Sequence, residues 1–573
     1  MKNLQIIQAE GGGVSFFPNH LIAIILLLLS SAAGGPAVAQ TEEELAEGPY
    51  TVSPETTGIT GPRNQDGTLD FYAAINRHMS NGVTGENNAA RLLYAVLPDR
   101  FDGSHTFHRI QQLRRDLDIE FLPEDSPRLV DLQEFAERNR APDFVEEFLD
   151  WYDRPMRAKS RPLLLEFMQQ NDAALDVIVE ASGRPRFFVP LRAIGEISGE
   201  GVDDDYDFPE INYHTLVSSD LWHIQINREF ARLLYARAMI RTAQGEYPAA
   251  WSDILAMRRL GQLTGTQASL VEGLVGIVVT GMACEAAARL IEKTTHPDHA
   301  GPVPDWNTML ADWSAPWRVA DLRLQCNLGE RLICIEYITL VADGRVGFSE
   351  VSSSIIGMGG PVAPAFAAEA VDEAIRAANR DGFIDWNEGL RWCNTLYDRH
   401  ISNLNLVNPA ERKAAWEKLD QQLARMESTL PAMLANLGHD DTSPGDRARA
   451  VGGMFLCMLA PSMEQVANAE LRIEAWQKTI ALGLACLADR GKTGSFPDSL
   501  AQLAETGKIP AELIADFGPE TDLSWSRTGT GCQLRYRSQI SEGLNFELNI
   551  GDPQALQKRD ADDDDERVLK GSG

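Results

Sequence analysis

Residues 233–263, "LLYARAMIRTAQGEYPAAWSDILAMRRLGQL", decide the fold. Apolar residues recur three and four apart on both sides of a short polar break, which is the period of a helix that buries one face. Ala238 and Ala250 supply small contacts where two helices approach, Gly245 permits the turn between them, and Tyr247 and Ile254 supply bulk. The stretch reads as two antiparallel helices joined by a tight turn.

This pattern resembles a single tetratricopeptide-type hairpin. Such units stabilise one another by stacking, and no second copy stands at the expected period, so the expectation is a packed array of antiparallel helices rather than a superhelix. The array spans 69–346. Within it "NNAARLLYAVL" and "RPLLLEFMQQNDAALDVIVEAS" carry the same three-and-four spacing. Pro98, Pro123, Pro142 and Gly183 mark element ends, and the acidic loop "GEGVDDDYDFPE" interrupts at 199–210.

A Gly, Ser and Pro-rich segment at 347–365 reads as a linker or flap, followed by a second helical block over 366–465. There Trp386, Leu390, Cys393, Tyr397, Ile401 and Leu404 share one helical face. Residues 466–556 change character, from a long helix to "GSFPDSLAQL" and then to "LSWSRTGTGCQLRYRS" and "LNFELNI", which alternate in period two. The fold class is therefore mainly α, with a small C-terminal α+β module. Residues 557–573 form a solvated acidic tail.

Taken in order, "ALDVIVEASGRPRFFVPL", "AQGEYPAAWSDILAMRRLGQL", "DWNEGLRWCNTLYDR" and a helix running into "GSFPDSLAQL" and a hairpin resemble a group of uncharacterised exported bacterial proteins. Their C-terminal modules are similar to the globular end of pseudopilins, where a long helix leads to a Tyr/Phe-Pro-x-Ser-Leu turn and a short sheet. The resemblance covers most of the chain and implies architecture without an assigned activity. Here the acid- and Gly-rich run that usually follows the last strand is reduced to "IGDPQ".

The N-terminus supports export. Leu21 to Leu29 form an apolar run, followed by small residues and Ala37-Val38-Ala39 before Gln40, so 1–39 reads as a signal peptide with an A-x-A cleavage site. The alternative is an uncleaved N-terminal anchor. The run is shorter than the ~20 apolar residues of a spanning helix. Gly273–Cys284, uncharged between Glu272 and Glu285, suits a buried helix better than a membrane span. Residues 40–68, acidic and rich in Thr, Pro and Gly, read as a disordered leader.

With 52 basic against 83 acidic residues, the net charge is -31. Such a chain repels phosphate backbones and anionic membrane surfaces, which excludes nucleic-acid binding and any membrane association beyond that N-terminal anchor. The seven Cys show no metal-type spacing and sit mostly in apolar helical stretches, so they read as buried free thiols.

No complete catalytic motif occurs. The "GKT" at 491–493 lacks the first Gly of a phosphate loop and follows a helix, not a strand. His105 with His108, and His296 with His299, offer two ligands each in polar turns. The remaining candidate is "ANRDGFIDWNE", 378–388. With Gly382 at loop position 6 of a calcium loop, Asn379, Asp381 and Asp385 fall at positions 3, 5 and 9, the Phe383 carbonyl at 7 and Glu388 at 12, but Ala377 stands at position 1. The alternative reads Gly382 as a helix stop and Asp385 with Glu388 as a capping pair for the next helix, and that reading is preferred, with calcium as the one candidate cofactor. The functional expectation is an exported, non-catalytic scaffold that binds an envelope or extracellular protein. A hydrolase with a carboxylate site is the competing class.

Overall fold

The computed structural model describes residues 48–101, 107–119, 125–152, 161–193, 215–296, 299, 301–315, 318–347, 368–380, 384–406, 408–437, 439, 441–459, 463–505, 509, 521–527, 531–538 and 546–551. The fold is mainly helical, with a small three-stranded antiparallel sheet near the C-terminus. The first helices are α1 (Phe71–Met79), α2 (Ala89–Ala95), α3 (Phe107–Asp116), α4 (Leu132–Arg138), α5 (Phe144–Trp151) and α6 (Pro162–Ser182). Asp70, Asn88 and Asp131 start three of them by accepting from backbone N–H groups of the first turn, which would otherwise be unpaired.

The hairpin expected from 233–263 is α7 (Trp222–Gln244) followed by α8 (Tyr247–Gly265). Gly245 ends α7 in the left-handed region at φ 82°, with Glu246 N donating to Arg241 O at 2.9 Å. A third helix, α9 (Leu270–Thr295), opens on a capping box between Ser269 and Glu272 and packs on both. Long and apolar enough to cross a membrane by composition, α9 is instead mostly buried among its neighbours. It approaches α8 closely because the crossing is made of small residues. A Cβ on Gly276 would lie 2.5 Å from Gly265 Cα and 2.6 Å from Gly261 O.

Beyond α10 (Trp306–Trp313), a turn at Leu322–Leu324 runs into a π-helical stretch, Gln325–Glu330, and on into α11 (Arg331–Ala342). Gln325 Nε2 donates to Gly265 O at 2.8 Å and to Gln267 O at 3.1 Å, fixing this wide turn against the link between α8 and α9. The second block comprises α12 (Ala368–Arg380), α13 (Trp386–Leu404), α14 (Pro409–Ala435) and α15 (Pro444–Leu459). Its α13 and α15 pack on α11, so one apolar cluster runs through both blocks.

Helix α16 (Met463–Thr493) crosses α9 and α10 and carries the C-terminal module, with α17 (Leu500–Glu505), β1 (Thr521–Arg527), β2 (Cys532–Ser538) and β3 (Phe546–Ile550). Sheet order is β1-β2-β3, with Leu534 opposite Trp525 and Leu548. Cys532, Leu534 and Tyr536 face the core while Gln533 and Arg535 are half-buried, which is the alternation read from the sequence. Gly483 lets Leu548 reach the helix, and Trp476 stacks on Phe546 at 4.7 Å. The outer edge of β3 is closed: Asn549 N donates to Glu292 Oε1 at 3.1 Å and Gly551 N to Thr295 Oγ1 at 3.2 Å.

The leader assignment needs correction over 48–68. This stretch is a strap packed on α11 and α13. Tyr50 donates to Asp343 Oδ2 at 3.1 Å, and Thr51 N donates to Asn387 Oδ1 at 2.7 Å. Asn394 Nδ2 donates to Glu55 O at 3.1 Å and Thr56 O at 2.7 Å, and Arg345 pairs with Asp66 at 2.6 Å. Its partners lie some 280–340 positions away, so composition alone reads the strap as disorder. The signal at 1–39, residues 40–47, the acidic loop at 199–210, 348–365 of the linker and the tail at 557–573 lie outside the described residues.

Candidate functional site

Of the calcium-loop residues, Asp381 and Phe383 lie outside the described residues, as does the side chain of Asn379 at the end of α12. Asp385 caps α13, its Oδ1 accepting from Glu388 N at 3.0 Å. The Glu388 carboxylate faces two guanidiniums, Arg449 at 3.5 Å and Arg391 at 3.8 Å. Asp385 therefore caps the helix, whereas the Asp385 N–H donates to Pro444 O at 3.2 Å and not to Glu388. Among the described residues no group of three or more His, Cys, Asp or Glu is arranged to hold a metal ion. Of the His candidates, His105 is outside the described residues, and His299 packs on Tyr247, whose hydroxyl lies 3.2 Å from Nε2.

Ionisable groups buried in the array join helices. Asp253 on α8, fully buried, accepts from Arg237 Nη2 at 2.7 Å and Arg241 Nη1 at 2.9 Å. Arg237 also reaches α6, at 2.8 Å from Asp176 and 3.0 Å from Asp172. His223 on α7 meets Glu272 on α9 at 2.9 Å, Tyr94 donates to Asn227 Oδ1 at 3.0 Å, and Asn227 Nδ2 donates in turn to Thr264 Oγ1 at 3.0 Å. A His with a Glu partner is two thirds of a hydrolytic triad. The nearby Ser269 hydroxyl, however, accepts from Glu272 N at 3.2 Å as the helix cap. Arg258 donates to Trp313 O at 2.7 Å and to Gln477 Oε1 at 3.2 Å, tying α8 to α10 and α16.

A group of reactive side chains surrounds the π-helical turn. Cys334 on α11 and Cys393 on α13 bring their thiols to 3.3 Å, and Tyr397 lies one turn beyond Cys393. Contact with the Cys393 thiol and burial raise the Cys334 thiol well above its ordinary range, and burial raises Tyr397. Burial pushes Glu330 up to about 7, against a hydrogen bond from Leu270 N, and pushes Cys326 up to about 12. Arg331 crosses to Asp398 at 2.5 Å, with Asn394 beside it. Thiols held this far into their protonated form are weak nucleophiles and weak metal ligands. Sequence reading placed Cys393 on a buried face and took the cysteines as buried free thiols, but nothing in the spacing pairs it with Cys334, 59 positions away.

No family model matches this chain, nor does any curated protein or solved structure. Three further groups are shifted by burial. Burial pushes Glu336, which accepts from Leu216 N at 2.7 Å, up to about 8, and pushes His400 down to about 4. Burial, with Glu474 nearby, pushes Glu470 up to about 8.

Proposed function

We propose that this chain is an exported, non-catalytic helical scaffold of the cell envelope, periplasmic or extracellular, that binds another envelope or extracellular protein through the helical hairpin array or the pseudopilin-like C-terminal module. The observation that carries this reading is the use made of buried ionisable groups. Arg237 with Asp253, His223 with Glu272, and Arg258 with Gln477 each bridge different helices. Of the carboxyls held protonated near neutrality, Glu330 and Glu336 each accept a backbone N–H, from Leu270 and Leu216, while Glu470 has Glu474 beside it on the same helix. An acid and base pair for hydrolysis needs two such groups converging on one reactant; Glu330 and Glu336 are committed to holding the fold.

Export is part of the proposal, with 1–39 removed after Ala39 and no cofactor required. N-terminal sequencing of the protein from its native envelope should begin at Gln40, and a chain still beginning at Met1 would make it anchored. The purified mature chain should turn over no glycan, peptide or ester substrate. Turnover abolished by Glu330→Gln, Glu336→Gln or Glu470→Gln, with the helical circular dichroism spectrum intact, would establish the hydrolase instead.

A further inference from the structure

We propose that Cys334 and Cys393 close a disulfide that ties α11 to α13 in the exported chain. The inference rests on the export reading for its oxidising compartment and on geometry for its partners. The two sulfurs are 3.3 Å apart, and a bond of about 2.05 Å needs an approach of about 1.3 Å. Both residues are fully buried. Their position is a junction of three segments, since Asn394, next to Cys393, holds the strap at Glu55 and Thr56, while Arg331 joins α11 to Asp398 on α13. A bond there also closes the chain around residues 348–367, between the two helical blocks.

Burial sets the order of events. Enclosed thiols are out of reach of an oxidant in solution, so the bond forms during folding, while the cysteines are still accessible. The oxidant is a disulfide compound of the compartment. One Cys thiolate attacks a sulfur of that disulfide, releasing one reduced thiol and leaving a mixed disulfide. The second Cys thiolate displaces the second thiol and forms the Cys334–Cys393 bond. Two protein thiols are oxidised, one disulfide is reduced to two thiols, and the balance closes.

Cys486 on α16 also faces Cys532 on β2, so a thiol count cannot identify the pair and peptide mapping is required. The reduced, unfolded full chain is refolded in a buffer of oxidised and reduced glutathione, quenched with acid, unfolded in denaturant with a maleimide near pH ~6 to block its free thiols, and digested for mass spectrometry. The expected product is a peptide carrying Cys334 joined to one carrying Cys393. Both cysteines recovered alkylated, or joined only to other cysteines, would overturn the inference. The same mapping on protein isolated from the envelope separates it from the export reading: a chain beginning at Gln40 with both thiols free sinks the disulfide and leaves export standing, whereas a linked pair supports it. In Cys334→Ser the linked peptide disappears. Should that variant fail to fold, the wild-type mapping decides alone.

Discussion

Replacing Gly276 by Ala sets two effects of opposite sign against each other. In a helix interior, Ala is favoured over Gly by about 1 kcal/mol, so propensity alone predicts a more stable protein. At the crossing of α9 with α8, however, the new methyl group would sit 2.5 Å from Gly265 Cα and 2.6 Å from both Gly261 O and Gly265 N. Ordinary carbon contacts lie near ~3.5–4.0 Å, and these atoms are backbone, so no side chain can swing away and the helices must part by about 1 Å. Overpacking of this kind costs about 1–3 kcal/mol, with the upper end apt for a backbone clash, which leaves a net loss of about 1–2 kcal/mol. Gly491 is the control: it is helical near the end of α16 and nothing lies within 4 Å of its added Cβ. Gly491→Ala should gain up to about 1 kcal/mol. Urea unfolding followed by circular dichroism should move the midpoint down for Gly276→Ala and up for Gly491→Ala, with helical content unchanged. An upward shift for Gly276→Ala would refute the close crossing.

Three further expectations follow from named contacts. Glu336, 6 % exposed with its carboxyl pushed up to about 8, binds a proton in the folded state that the unfolded chain has released, so it draws stability down as pH rises from its unfolded value toward 8. His400, pushed down to about 4, acts oppositely only below about 6.5; between pH 6.5 and 8, unfolding midpoints should therefore fall less steeply in Glu336→Gln than in wild type, and identical slopes would contradict the assignment. Asn394→Ala leaves the carbonyls of Glu55 and Thr56 without their side-chain donor, at about 1–3 kcal/mol, and should speed tryptic cleavage at the exposed Arg63 of the strap; an unchanged rate would mean the strap is held elsewhere. Calorimetric titration with calcium should show no site tighter than about 10 micromolar, the weak end of the sensor range, and a tighter site abolished by Glu388→Gln would restore the calcium loop.

What the sequence made legible is local. Gly245 and the three-and-four spacing around it specify the α7–α8 hairpin, Asp385 followed by Glu388 specifies a helix start, and alternation in "CQLRYRS" specifies an inward and an outward strand face. Each signal lies within one turn or one strand. The remainder depends on partners distant in the chain. The strap at 48–68 is polar and rich in turn residues, and Asn387 and Asn394, more than 330 positions away, pair its backbone at Thr51, Glu55 and Thr56. Cys334 and Cys393 meet because two helices cross, not because of their spacing. The small-residue stretch "GQLTG" at 261–265 was in plain view, but its meaning required Gly276 opposite it. Arg237 and Asp253 face each other across the hairpin turn, a pairing that follows once both helices are drawn.

The scaffold reading is tested most directly by affinity capture with the mature chain as bait in native envelope extract, with chemical cross-linking and identification of what is retained. The account predicts one envelope or extracellular protein, cross-linked at the α7–α8 hairpin or the C-terminal sheet, and competed away by excess free chain. A bait that retains nothing above an unrelated acidic control protein, while the pure chain hydrolyses a glycan, peptide or ester, would contradict it.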